Sequence, residues 1–102
     1  MIVMRYIQPR VRHALVELGD DISIARRRRR IRQSDLAAAL QISRSTLQRV
    51  EAGDPGVSLA VFASVCAALG HLKPLQSFMY DLERDTALLS DPPPLRIRRS
   101  QQ

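Results

Sequence analysis

Six arginines within seven positions, Arg26 through Arg30 and then Arg32, carry the densest chemistry in this sequence. A guanidinium is a planar, permanently charged fork of donors, matched to phosphate oxygens and to the O6/N7 edge of guanine. A second, sparser set follows in the polar stretch holding Arg44, Ser45, Gln48 and Arg49. Lys73 is the only lysine among 16 basic residues, which outnumber 10 acidic ones for a net charge of +6. That balance points to a polyanionic partner. A membrane surface would need a basic helix with a broad apolar face and aromatic anchors, and the sequence offers neither.

Enzyme chemistry is poorly supplied. His13 and His71 lie far apart, Cys66 stands alone in an apolar run, and no acid pair or glycine-rich phosphate loop occurs. Asp20, Asp21 and Asp54 read as turn or cap residues. No metal, cofactor or disulfide is therefore expected. No run of eighteen apolar residues and no signal-peptide pattern is present, so a cytoplasmic protein is expected.

Five consecutive residues wrap around a helix, so the arginine run cannot face one ligand. The elements must divide it. From 11 to 30 the apolar positions Val11, Leu15, Leu18, Ile22 and Ala25 recur at three and four, one face of a helix. Gly19 inside it costs about 1 kcal/mol and marks a start, break or bend. A short helix over 34–40 follows, with Ser34 as a candidate cap. Ser43 can cap another over 44–52, with Leu47 and Val50 facing inward. Ala52-Gly53-Asp54-Pro55-Gly56 stops it. Ser58 caps a helix over 59–69, which Gly70 ends in a left-handed conformation. Pro74 suits the first turn of a fifth, striped by Leu75, Phe78, Met79 and Leu82. Residues 1–10 read as a short strand or an arm, 11–90 as one domain and 91–102 as a basic tail. The expected class is all-α, five helices with two short extensions.

The segment from Gln33 through Leu36-Ala37, Ile42-Ser43, Leu47 and Val50-Glu51 to Gly53 resembles the helix-turn-helix of the lambda-repressor-like family (Cro, phage repressors, XRE type). The likeness extends from Leu18 to Gly70. It implies a recognition helix over 43–52 that enters the major groove of double-stranded DNA. Carried over by position, Arg44, Ser45 and Arg49 match base-reading places, with Gln48 a weaker one. Contact of either arginine with phosphate alone is the alternative. Gln33 and Ser43 match phosphate-holding places, and Arg27, Arg30 and Arg32 supply further phosphate contacts if that face is not simply solvated. Arg26 and Glu51 match a partly buried ion pair, and Arg29 is expected to lay its stem along the apolar stripe. The sequence departs from the family at Arg30 and Gln41, where glycine with positive φ is common, and at Arg32, which replaces a hydroxyl cap. These put the turn geometry in question.

One half-site is too short to select an operator, so a homodimer on a palindromic operator is implied. Phe62, Leu75, Phe78, Met79 and Leu82 are the candidate dimer residues; the alternative is that both apolar stripes are core. The 51–59 stretch and the closing Pro94-Leu95-Arg96-Ile97-Arg98-Arg99 more loosely resemble HipB-type antitoxins, which implies autorepression and a HipA-family kinase toxin as partner. A stand-alone regulator, or an interaction module that keeps the fold as scaffold, are the other readings.

Overall fold

The computed structural model describes residues 6–87. Among them are five helices and no strand: α1 (Pro9–Arg28), α2 (Gln33–Leu40), α3 (Arg44–Glu51), α4 (Leu59–Ala68) and α5 (Leu72–Ala87). The all-α, five-helix architecture expected from the sequence is thus observed. The chain divides into two compact units, one ending at Leu72 and one beginning at Lys73. The division falls inside the stretch 11–90 read above as one domain. The expected C-terminal tail, 91–102, lies outside the described residues.

In the first unit, α3 packs on both α1 and α2, and α2 also meets α4. Between them sit Ile22, Leu36, Ala37, Leu47, Val50, Val65 and Leu69, all buried, with Leu40, Ile42, Val61 and Phe62 packed against this set. Leu47 and Val50, expected to face inward, therefore sit at the centre of the core with Leu36, flanked by Leu40 and Ile42. No single helix among the described residues is long and apolar enough to cross a membrane.

Local chemistry explains most boundaries. α1 begins at Pro9, two residues earlier than expected, with the proline in its first turn, where the missing N–H would be unpaired anyway. Ser43 and Ser58 cap α3 and α4 by accepting from Thr46 N at 3.0 Å and Val61 N at 3.1 Å. α2, by contrast, opens at Gln33 rather than behind Ser34. Its cap position is Arg32, whose side chain makes no cap hydrogen bond and turns instead to Asp35 at 3.0 Å.

Helices α1 to α4 all end in one way. Arg30, Gln41, Gly53 and Gly70 have φ of +55°, +58°, +74° and +82°. After each, the next amide reaches back across the last turn, as in Ile31 N to Arg26 O at 3.3 Å and Ile42 N to Ala37 O at 3.0 Å. These are Schellman closures. The turn geometry questioned at Arg30 and Gln41 is therefore the ordinary left-handed one. A non-glycine residue there costs about 1–2 kcal/mol, offset because the following residues, Ile31 and Ile42, anchor in the core.

Gly19 neither starts nor breaks α1, which runs through it. A Cβ there would lie 2.7 Å from Glu51 O and Gly53 N and 2.8 Å from Val50 O. The glycine is the notch against which the end of α3 seats.

Candidate nucleic-acid interface

The outward face of α3 is built by alternation with its buried face. Leu47 is fully buried and Val50 nearly so; three positions apart, they mark the inward face of α3 and leave the positions on its other side turned outward. Arg44, Ser45, Gln48 and Arg49 are accordingly all exposed. They form one polar ridge with two guanidinium groups. The four expected base-contacting residues thus lie together on one helix face.

Two partners hold this ridge in place. The first is the ion pair between the end of α1 and the end of α3. Arg26 is 9% exposed. It donates through Nε to Glu51 Oε2 at 2.6 Å, through Nη2 to Glu51 Oε1 at 3.0 Å, and through Nη1 to Ile31 O at 2.8 Å. Gln33 Nε2 donates to the same Glu51 Oε1 at 3.0 Å. The hydrogen bond to Glu51 raises the Arg26 pKa above its ordinary value against the opposing effect of burial. For Glu51, burial pushes the carboxyl up, but bonds from Arg26, Gln33 and Ser23 outweigh it and leave the pKa lowered. Both side chains stay charged, as in the pair that the family resemblance implies.

The second partner is Asp54. Arg49 Nε donates to its Oδ2 at 2.9 Å, and Gly56 N donates to its Oδ1 at 2.7 Å. The Arg49 bond, then the Gly56 amide, hold the Asp54 carboxyl below its ordinary value. Reading Asp54 as a turn residue was correct for its bond to Gly56 and missed its bond to Arg49. The signal was available, since Asp54 follows Arg49 by five positions across a left-handed helix end.

Beside the ridge lies a polar cleft lined by Arg26, Arg32, Gln33, Ser34 and Arg44. Arg26 is matched by Glu51 and Arg32 by Asp35, whereas no ion pair engages Arg44 among the described residues. The first amides of α2 are not capped by a side chain. Anions are favoured at such a helix start. Ser43 is used as the cap of α3, and its hydroxyl also lies 3.1 Å from Ser45 Oγ and 2.8 Å from Thr46 Oγ1.

The arginine run divides by face. Arg26 points in. Arg27 donates to Ser23 Oγ at 3.3 Å, and Arg30 stands exposed in the left-handed turn. Arg29 does more than lie along the stripe. It donates to Ala25 O and Leu69 O, each at 2.8 Å, a cation placed at the carbonyl end of α4. Cys66 is half-buried, and burial pushes its thiol pKa up.

A family model described as a helix-turn-helix domain matches residues 17–74. The chain belongs to the helix-turn-helix family. No curated protein and no solved structure matches it. The helix-turn-helix proper is α2, the turn at Gln41–Ile42 and α3, and α3 is its recognition helix. The match agrees with the lambda-repressor-like reading of the same residues. A DNA-binding domain follows.

Proposed function

We propose that this helix-turn-helix protein is a sequence-specific transcriptional repressor that binds a palindromic operator as a homodimer. The observation that carries the reading is the α3 ridge, where two arginines stand exposed on a helix narrow enough for the major groove. Arg44 and Arg49 each read a guanine through O6 and N7, Ser45 and Gln48 flank them, and the cleft beside Arg32 and Ser34 takes a phosphate. Arg27, Arg30 and Arg32 add phosphate contacts, each steepening the salt dependence by about 0.9 in log–log slope. Arg44→Ala is expected to weaken the preferred duplex by about 1–3 kcal/mol while folding is unchanged. Footprinting of the variant checks this, and a wild-type footprint would overturn the assignment.

The dimer reading rests on apolar surface. Phe62 packs partly on the core and shares an apolar groove with Leu15, Leu18 and Leu59. On α5, Leu75 is half-buried, whereas Phe78, Met79 and Leu82 are about half exposed at 50%, 57% and 57%. Such a stripe is more than an isolated helix gains from exposing. In its finer form the reading is that of a HipB-type antitoxin whose tail engages a HipA-family kinase toxin. Its support is the likeness of residues 51–59 and 94–99 to that type. Deleting 91–102 is expected to abolish co-purification with such a kinase and to leave operator affinity within about threefold, since the ridge is untouched. Light scattering of the same truncated protein should show a dimer; a monomer at micromolar concentration would remove the homodimer from the proposal.

A further inference from the structure

Arg49 differs from Arg44 in being held. Its Nε is bonded to Asp54 Oδ2 at 2.9 Å, and that carboxylate is tied through Oδ1 to the Gly56 amide at 2.7 Å. The carboxylate is therefore stretched between a side chain and the backbone, and cannot swing without losing one bond. The loop closes on the guanidinium as well. A Cβ at Gly56 would lie 3.0 Å from Arg49 Nη2 and 3.1 Å from Asp54 Oδ1.

The pair is open to water, with side-chain exposures of 49% and 36%, and an exposed pair of this kind adds little to folding. Its geometry has another consequence. A guanidinium has a side edge that includes Nε and an end edge made of Nη1 and Nη2. The bond to Asp54 takes Nε. The end edge is left to form two parallel bonds to guanine O6 and N7. A carboxylate this close also cancels most of the charge that would draw Arg49 to a phosphate.

We infer that Asp54 is a specificity-determining positioning residue, which presents the end edge of Arg49 to one guanine per half-site and keeps that arginine off the phosphates. This rests on α3 being the base-reading helix. The ordering of a long side chain is completed in the free protein, so less of it opposes binding.

The test uses the full chain and a pool of duplexes with about 20 random base pairs, long enough for two half-sites one turn apart. The wild type should enrich a sequence, and Arg49→Ala should lose preference at one G·C pair in each half. Asp54→Ala should lose preference at that same pair by about tenfold, while its affinity for random duplex holds or rises and its melting temperature is unchanged. Gly56→Ala keeps the carboxylate but crowds Nη2, and should reduce the same preference. A purely structural role for Asp54 would lower both affinities together. That result, or an Asp54→Ala variant with undiminished discrimination, overturns the inference while leaving base reading by α3 intact. If the wild type enriches nothing, base reading itself fails and the inference with it.

Discussion

Glu51→Ala is expected to destabilise the protein by about 3–5 kcal/mol, the cost of leaving a buried guanidinium without its counter-ion. The number follows from burial rather than from the pair's attraction. Both side chains are nearly enclosed, 10% exposed for Arg26 and 7% for Glu51. Surface ion pairs in water contribute about 0–1 kcal/mol, so the measurement separates the two cases. Truncation also strips the partner from the half-buried Gln33 Nε2. For a domain of this size the effect is a fall in Tm of at least about 12 °C. Glu51→Gln keeps the shape and an acceptor oxygen and should lose clearly less. Replacing both residues by apolar ones, Arg26→Met with Glu51→Leu, should recover a large part, because no charge is then stranded.

The same pair sets the acid limb of stability. The folded carboxyl titrates below its ordinary value of 4.5. The stabilisation is therefore complete above that value and is lost as pH falls through the lower folded pKa. In Glu51→Ala this limb should flatten, which urea midpoints measured between pH 3 and 6 (roughly the span of carboxylate titration) would show. A loss below about 1 kcal/mol, or an unchanged acid limb, would place the pair among ordinary surface bridges.

Sequence patterns disclose which face of a helix turns inward more readily than what waits there. The steps from Leu15 to Ile22 located the inner face of α1, and Arg26 and Arg29 continue it at intervals of four and three. Spacing placed the stem of Arg29 along that stripe, whereas Arg26 was marked as half of a partly buried pair through the family likeness. What they meet, Glu51 in one case and Leu69 O in the other, lies 25 and 40 residues further along. Glu51 was reached only through the family likeness. The Leu69 carbonyl is a backbone atom and leaves no trace in residue types.

Caps were legible because their chemistry is local. Ser43, Ser58 and Gly70 needed no knowledge of the rest of the chain. Arg30 and Gln41 were harder, because intrinsic preference argues against φ near +55° for both. The deciding contribution comes from Ile31 and Ile42, which follow each left-handed residue and bury against the core. Gln33 was assigned to phosphate from its place in the motif, and the structure ties its amide to Glu51 Oε1. Position in a motif can name a residue without revealing which of its atoms are already engaged.

Gly19→Ala is expected to destabilise, by about 2–3 kcal/mol, although helix propensity alone predicts a gain of about 1 kcal/mol. The sign turns on the atoms the new methyl would meet. All three are backbone: Glu51 O and Gly53 N at 2.7 Å and Val50 O at 2.8 Å. A flexible side chain could step aside; the end of α3 cannot do so without moving the helix. Gly53 repeats the constraint from the opposite side, since its Cβ would lie 2.4 Å from Leu15 O and 2.7 Å from Val16 Cα at a φ of +74°. Gly53→Ala therefore adds backbone strain of about 1–2 kcal/mol to the overlap and should be the more damaging of the two. The two glycines are the contact surface through which α1 sets the tilt of α3. Duplex affinity should consequently fall in Gly19→Ala even at temperatures where the variant is folded, because Arg44 and Arg49 ride on the displaced helix. Thermal melting together with a duplex titration well below the melting midpoint would separate these effects. A variant as stable as the wild type would show that α1 and α3 are not pressed together at this point.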